Sequence, residues 1–183
     1  MHRVLLIGKR ASVLTRLQSA LRAIRIECEL TQDVTGATPD LFRSYNAVAF
    51  GRAVSEADRT RMKAAFKAAN PSVVFVDGLA PITPLLVAQF EEALAGRPAA
   101  DRHIGDVAAS RNRLDFHLRA AARVRVLTYS LTFLYQTRKR LLLDQPLESG
   151  DHQLALTHRH RWAGDVFAVL RADDDVRVVR IPR

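Results

Sequence analysis

Apolar segments and amphipathic helical segments alternate along the first 96 residues, and this alternation constrains the fold more than any other feature. The run RVLLIG is continuously apolar after its arginine, as expected for a central strand that is buried on both faces. In the following SVLTRLQSALRAI, apolar side chains recur at helical spacing behind Ser12, a predicted N-cap. Strand–helix alternation with right-handed connections predicts a parallel sheet with helices on both faces and the strand order 2-1-3-4. The other three strands are predicted in IECELTQD, NAVAFGRA and SVVFVDG.

Two later helices have recognisable ends. The segment SEADRTRMKAAFKAAN begins with Ser55 as N-cap and has Asp58 three residues later, a carboxylate variant of the capping box. The segment ITPLLVAQFEEALAG is expected to stop at Gly96. A loop over residues 36–39 and a short helix around DLFRSY are predicted to join the second and third strands. Residues 1–96 are therefore expected to form one α/β domain.

These residues resemble a bacterial response-regulator receiver domain, a flavodoxin-like arrangement, shortened by its last strand and helix. Receiver chemistry needs an acidic pair after the first strand, a phosphoacceptor Asp after the third and a Ser or Thr after the fourth. Without those groups the chain can neither hold a divalent ion nor accept a phosphoryl group. The resemblance thus implies a pseudo-receiver that cannot be phosphorylated. At those positions the chain has Gly8, Lys9 and Arg10; Gly51 and Arg52; and Asp77 and Gly78.

The strand ends could instead bind an anion. A dinucleotide fingerprint has three glycines in its first turn, whereas this turn has only Gly8. Lys9, Arg10 and Arg52 would nevertheless gather at the switch point of the sheet, with Ser12, beside the positive end of the first helix. Two interpretations stay open: an anion or nucleotide site, or exposed loop residues beside an empty crevice, which we favour.

The pattern changes character near residue 100. Residues 97–112 lack a sustained period and predict a linker, with a short helix or strand around IGDVA. RLDFHLRA then alternates strictly, with Leu114, Phe116 and Leu118 on one side. Short strands separated by turns predict an antiparallel β-sandwich over residues 113–183. The predicted turns are RKR at residues 138–140, ESGD around Gly150, and ADDD, which contains Asp173–Asp175.

The order of these segments resembles the Ig-like domains, related to fibronectin type III, of the flagellar hook-capping protein and of bacterial sorting modules. The matching stretches run from LDFHLRAAARVRV to LESGDHQLAL and from WAGDVFAVLR to VRVVRI. Gly150 with His152, and Gly164 with Phe167, correspond to the glycine–histidine and glycine–aromatic pairs of such domains. The resemblance implies a role in packing and protein contact, although those relatives are mostly secreted.

The charge of the chain raises the possibility of a nucleic-acid partner. Its 28 basic and 19 acidic residues give a net charge of +9, but the basic residues are spread over both halves. Residues 1–100 contain 13 basic and 9 acidic side chains, and residues 101–183 contain 15 and 10. The one dense patch is predicted as a solvated turn, with a nucleic-acid contact as the alternative. It consists of Arg138, Lys139 and Arg140.

No catalytic signature stands out. G-x-S-x-G, H-E-x-x-H, P-loop and Cys–His patterns are absent from the sequence, so neither an enzyme class nor a cofactor is predicted. The single cysteine, Cys28, is interpreted as a small packing residue. His158 and His160 alternate as two metal ligands could, but no further ligand accompanies them and no metal is predicted. Asp173–Asp175 lack the glycine and glutamate of a calcium loop.

The sequence therefore predicts a non-enzymatic cytoplasmic protein that regulates or scaffolds through a protein partner or self-association. The cytoplasmic location is expected because no apolar run approaches the roughly 20 residues that span a bilayer. The opening MHRVLLIGKR also has too short an apolar core for a signal peptide. A sensor of a small anion or nucleotide and a nucleic-acid-binding protein are the two alternatives.

Overall fold

A computed structural model describes residues 2–32, 42–51, 53–78, 81–96, 98–131, 136–156 and 165–182. The chain divides into two compact units, Met1–Leu94 and Ala95–Arg183. In the described residues, no helix is both long enough and apolar enough to cross a membrane. The predicted loop at residues 36–39, Arg52, and the segment with His158, His160 and Gly164 lie outside the described residues.

The N-terminal unit is an α/β unit with one parallel sheet. Its four strands have the order β2-β1-β3-β4, which confirms the predicted order 2-1-3-4. Val4 of the central strand is aligned with Cys28 on one side and with Ala47 on the other. The elements of this unit are β1 (Arg3–Ile7), α1 (Ala11–Ala23), β2 (Glu27–Thr31), β3 (Ala47–Phe50), α2 (Glu56–Ala69), β4 (Val74–Asp77) and α3 (Thr83–Leu94).

Both faces of this sheet are covered because its central strands are apolar, β1 after Arg3 and β3 throughout. Side chains alternate across a strand, so neighbouring residues of β1 enter different cores. Val4 and Leu6 pack in a cluster with α1 and α3 side chains, including Leu21 and Phe90. Leu5 and Ile7 pack in a second cluster with α2 side chains, including Phe66. Ligands of open parallel sheets bind beyond the C-terminal ends of the strands, so that edge is a candidate site.

Of the two predicted N-cap residues, Ser55 is confirmed and Ser12 is not. Ser55 is the N-cap of α2, and its Oγ accepts the Asp58 backbone N–H at 3.1 Å, as predicted. Ser12 is not the N-cap of α1; that position is Arg10, whose backbone is extended and whose carbonyl accepts the N–H groups of Val13 and Leu14. Ser12 lies one residue inside the helix and is exposed, because α1 starts at Ala11, earlier than the sequence pattern indicated.

The two serines make a matched test of capping. We expect Ser55→Ala to lower the free energy of unfolding of the N-terminal unit by about 1 kcal/mol, because the Asp58 N–H loses its acceptor. Ser12→Ala should change it by less than about 0.5 kcal/mol. Urea titration of the helical circular dichroism signal measures both. Equal losses for the two variants would contradict the assigned caps.

The C-terminal unit contains two antiparallel sheets. Their strand orders are β11-β10-β7-β8 and β5-β6-β9. A short 3-10 helix at Ala99–Asp101 precedes the first strand. The strands are β5 (Ile104–Ala109), β6 (Arg113–Leu118), β7 (Ala122–Leu131), β8 (Thr137–Leu147), β9 (Gly150–Ala155), β10 (Val166–Ala172) and β11 (Asp175–Ile181).

Residues 97–112 were predicted as a linker with a short helix or strand around IGDVA. The strand is present there as β5, which pairs with β6 and belongs to a sheet. Residues 138–140, expected as a turn, instead lie within β8 and pair with residues 128–130 of β7. There the pairing with β7, rather than the local sequence pattern, determines the conformation, because β-strand formation depends strongly on tertiary context.

The two antiparallel sheets contribute to one apolar core. Leu114, Phe116 and Leu118 of β6 are buried in a cluster that also holds Val126 of β7 and Leu170 of β10. The predicted alternation of β6 is therefore confirmed. The β10–β11 hairpin turns at Asp173 and Asp174, as predicted, with Asp173 at φ 52°.

The third aspartate of ADDD behaves differently from its two neighbours. Asp175 begins β11 and is 1% exposed. Its Oδ2 accepts the backbone N–H of Ile104 at 2.9 Å, which connects β11 to the first strand of the other sheet. A buried carboxylate that accepts a backbone N–H forms a charge-assisted hydrogen bond, stronger than a neutral one. Asp175 is thus a structural residue of the C-terminal unit.

Candidate functional site

The C-terminal edge of the parallel sheet is the first candidate site. Gly8 and Gly51 are the residues directly after β1 and β3. A Cβ atom added to Gly51 would lie only 3.3 Å from the Gly8 Cα. The Gly51 N–H also donates to the Ile7 carbonyl at 2.7 Å. The two strand ends therefore approach closely where a side chain would crowd them. Lys9 and Arg10 follow this contact and are exposed, while Arg52 lies outside the described residues.

Two further cations reach this edge, and the sequence analysis did not identify them. Arg59 Nη2 donates to the Gly51 carbonyl at 3.1 Å, and its Nη1 lies 3.9 Å from Asp77 Oδ1. Lys63 Nζ donates to Asp77 Oδ2 at 2.7 Å. Both cations come from one face of α2, four residues apart, and this i, i+4 spacing was the available signal.

Asp77 is consequently the partner of two cations rather than an unpaired acid. No group of three or more His, Cys, Asp or Glu side chains that could hold a metal ion occurs among the residues described. The strand-end edge is predominantly basic at Lys9, Arg10 and Arg59. Such an edge can attract an anion, but its described residues do not provide the cluster of carboxylates that binds Mg²⁺ in receiver chemistry.

Phosphorylation of the protein provides a direct check of this chemistry. Incubation with acetyl phosphate and Mg²⁺ should leave the intact mass unchanged, because the described residues at the strand ends offer no acidic cluster to bind the ion. An authentic response regulator treated in parallel is the positive control. A mass increase of one phosphoryl group that is lost in acid would contradict the pseudo-receiver interpretation.

A cluster at the opposite end of the sheet has structural rather than chemical character. The Tyr45 hydroxyl donates to Glu29 Oε2 at 2.6 Å, and Arg3 forms an ion pair with the same carboxylate. Burial, followed by this hydrogen bond, raises the pKa of Tyr45 to about 12, while the bonds from Tyr45 and Arg3 lower the pKa of Glu29. Burial also raises the pKa of Cys28 to about 12, so this thiol stays protonated near neutral pH and is a poor nucleophile.

The edge strand β8 is the second candidate site. Among the residues that the structure describes, β8 pairs only with β7, and its eleven residues are all exposed or half-buried. Leu141 is 49% exposed, one of two large apolar side chains described as exposed. An edge strand presents unpaired backbone groups, which can pair with another extended chain. The predicted patch Arg138, Lys139 and Arg140 is part of this strand.

One edge strand of the parallel sheet, β2, has a backbone acceptor that side chains of α1 already occupy. On β2, the Cys28 carbonyl accepts Gln18 Nε2 at 2.7 Å and Arg22 Nη2 at 3.4 Å, both from α1. These side chains occupy an acceptor that a further strand would need. This edge of the parallel sheet is therefore a poorer candidate for strand pairing than an edge with exposed backbone acceptors.

A polar groove of about 610 Å³ lies on the β5-β6-β9 sheet. His117 Nδ1 and Asp151 Oδ1 are 2.7 Å apart across β6 and β9, and Asp115 accepts both Arg113 Nε and Gln153 Nε2. These groups satisfy one another and remain exposed. The groove therefore provides a polar surface, and its lining residues include two histidines, His117 and His152, but no serine, threonine, cysteine or lysine.

Comparisons with known proteins give little further information. No family matches the chain in a scan of protein families, and no curated protein matches it. Among solved structures, the chain is similar to an NAD kinase from Archaeoglobus fulgidus in complex with ATP, at 14% sequence identity and a TM-score of 0.31. The similarity covers 97% of this chain and 86% of that chain. A TM-score of this size defines neither a shared fold nor a shared activity.

Proposed function

We propose that this chain is a non-enzymatic regulatory or scaffolding module that binds a protein partner by strand pairing along β8. In this proposal the N-terminal unit is a receiver-like domain that cannot be phosphorylated, and the protein acts in the cytoplasm. The observation that carries the proposal is the long exposed edge of β8. Added strands bind mainly through main-chain hydrogen bonds, so a recognition edge needs exposed backbone rather than a deep pocket.

We further propose that the C-terminal unit is an Ig-like sandwich related to fibronectin type III. In constant-type immunoglobulin domains, the first, second, fifth and fourth strands form one sheet, and the third, sixth and seventh form the other. Here the first, second and fifth strands (β5, β6 and β9) form one sheet, and the third, sixth and seventh (β7, β10 and β11) lie in the other. Only the fourth strand, β8, differs, because it pairs with the third. This agreement in strand order supports the proposal.

The position of β8 in such a sandwich favours a binding role. It forms the outer edge of its sheet, and a register shift opposite Val126 and Leu127 interrupts its pairing with β7. Beyond that irregularity, Asp144 is held by Arg123 and Arg125, and Pro146 has no N–H to donate. Residues 137–141 are therefore the stretch of β8 best suited to accept another strand.

Site-specific cross-linking tests the proposal. A photo-reactive amino acid is placed at Lys139 on β8 or, as a matched control, at Arg61, an exposed position on α2. In extracts of the native host, position 139 should form a defined adduct and position 61 should not. The partner is then identified by mass spectrometry, and the complex is rebuilt from the two purified proteins. Adducts that are equal at both positions, or a complex that cannot be rebuilt, would overturn the proposal.

The alternative function is binding of a small anion or nucleotide at the strand-end edge. The close approach of Gly8 and Gly51, and the cations Lys9, Arg10 and Arg59 nearby, favour it. A ligand that binds only the folded state raises the melting temperature as its concentration rises. Inorganic phosphate and AMP should leave the melting temperature unchanged if β8 is the functional surface. A rise in the wild type that is lost in Arg52→Ala would favour the anion site instead.

A further inference from the structure

We infer that the strand accepted by β8 is an extended acidic polypeptide segment. This inference rests on the proposed function, because it specifies the chemistry of the partner at the same edge. It comes from the distribution of charge along β8 and across its two faces, together with the pairing of the acidic residue that β8 contains.

The first half of β8 is basic on both of its faces. In the register of the β7–β8 pair, Arg138 lies opposite Ser130, Lys139 opposite Tyr129, and Arg140 opposite Thr128. Successive side chains of a strand point to opposite faces, so Arg138 and Arg140 share one face and Lys139 lies on the other. A strand added beside residues 138–140 would therefore have a cation next to it on both faces of the sheet. Its acidic side chains could lie on either face and still be near a basic side chain.

Arg138 and Lys139 have no acidic residue directly opposite them on the adjoining strand, because their partners Ser130 and Tyr129 carry hydroxyl groups and supply no carboxylate. The one acid of β8, Asp144, accepts Arg123 Nε at 2.9 Å and lies 3.7 Å from Arg125 Nε. Opposite charges on directly neighbouring strands stabilise a pair, and like charges destabilise it. The edge therefore favours glutamate or aspartate in an incoming strand and disfavours lysine or arginine.

The same charges argue against a second copy of this chain as the occupant. A lysine or arginine on an exposed edge is a common device against edge-to-edge association. The chain also has a net charge of +9, so two copies repel each other at low ionic strength. An acidic segment from another protein removes both obstacles. The basic edge would then repel the β8 strand of a second copy of this chain and attract an acidic strand.

A peptide panel tests the inference on the full-length protein. Three fluorescent peptides alternate valine with glutamate, glutamine or lysine, and a single-stranded oligothymidylate represents nucleic acid. Fluorescence anisotropy measures the affinity of each. We expect the glutamate peptide to bind at least about tenfold more tightly than the glutamine peptide, since opposite charges on directly neighbouring strands stabilise their pairing. Binding should weaken as salt screens the charges.

Variants connect this binding to the edge. Arg138→Glu with Lys139→Glu should weaken binding of the glutamate peptide at least about tenfold, for the same electrostatic reason. Arg111→Glu with Arg119→Glu makes an equal change of charge at exposed positions off this strand and should leave the affinity unchanged. The milder Arg138→Gln with Lys139→Gln should give an intermediate loss, which keeps the test usable if the reversal variant folds poorly.

The possible results separate this inference from the function on which it rests. If the glutamine or lysine peptide binds β8 as tightly as the glutamate peptide, the acidic preference is overturned while strand pairing stands. If only the oligothymidylate binds, and the reversal variant loses it, both the inference and the proposed function are overturned in favour of a nucleic-acid contact. Equal weakening by the β8 variant and its control would also overturn the inference, because the effect would then reflect net charge alone.

Discussion

Asp175→Ala is expected to lower the free energy of unfolding of the C-terminal unit by about 2–3 kcal/mol, a large effect for one polar residue. Asp175 is almost fully buried, and its carboxylate accepts the N–H of Ile104, which is itself 1% exposed. Alanine would leave that N–H buried without its acceptor. The hydrogen bond joins residues 71 positions apart, so its loss affects the connection between the two sheets.

Two companion variants make the Asp175 result specific. Asp175→Asn retains an acceptor oxygen of similar shape and should cost clearly less than alanine. Asp174→Ala removes the neighbouring carboxylate, which is 59% exposed and 4.0 Å from His103, and should change stability by less than about 1 kcal/mol. Amide hydrogen exchange of β10 and β11 at increasing urea concentration reports this unit directly. A loss for Asp174→Ala as large as that for Asp175→Ala would refute the assigned role.

Phe66→Ala is expected to destabilise the N-terminal unit by about 3–5 kcal/mol, the usual cost of truncating a buried phenylalanine. The Phe66 side chain is fully buried on α2. Its ring centroid lies 4.2 Å from the ring centroid of Phe42 and 6.5 Å from that of Phe75. Removing it leaves a cavity. It also removes two aromatic contacts, which stabilise the fold beyond the burial of apolar surface area.

The matched control for Phe66 lies on the same helix. Arg61→Ala alters a 66% exposed residue whose ion pair with Asp58 is solvated, and it should cost no more than about 1 kcal/mol. Phe66→Leu fills part of the cavity and should fall between the two. Urea titration of the helical circular dichroism signal measures all three. A cost for Phe66→Ala close to that of Arg61→Ala would mean that α2 does not pack on the sheet as described.

The sequence predicted secondary structure best where the burial of one or both faces of an element fixes the spacing of its apolar residues. The continuous apolar run of β1 and the alternation of β6 both predicted strands that the structure contains. The capping pair Ser55 and Asp58 predicted the start of α2 because the hydrogen bond is local. The strand order 2-1-3-4 followed from the handedness of the connections and is confirmed.

Sequence patterns were less informative where tertiary pairing determines the conformation. Around IGDVA the pattern allowed either a short helix or a strand, because Gly105 and Asp106 of β5 are poor strand formers, and the register of β5 with β6 shifts at these residues. A Cβ at Gly105 would lie 3.4 Å from the His117 ring, so a small residue fits there. The first half of β8 is exposed on both faces and therefore has no apolar alternation to reveal it.

The candidate sites were predictable only in part. Lys9 and Arg10 were expected at the strand ends and do follow β1. Arg59 and Lys63 reach the same edge from a helix for which the sequence analysis considered only the two ends. Arg138–Arg140 were identified as a basic patch, but their place on an edge strand depends on which strand β8 pairs with. That pairing is a long-range property, which a local pattern does not encode.

Amide hydrogen exchange at β8 is the most direct test of the proposed strand pairing. It is measured on the full-length protein alone and in a saturated complex with the partner recovered by cross-linking at position 139. Strand pairing predicts that outward-facing amides of residues 137–141 exchange at least about tenfold more slowly in the complex, since each gains a hydrogen bond. Residues 27–31 of β2, where Gln18 and Arg22 cover the edge, should exchange as before. Unchanged exchange across residues 137–141 in the saturated complex would contradict the proposal that β8 binds the partner.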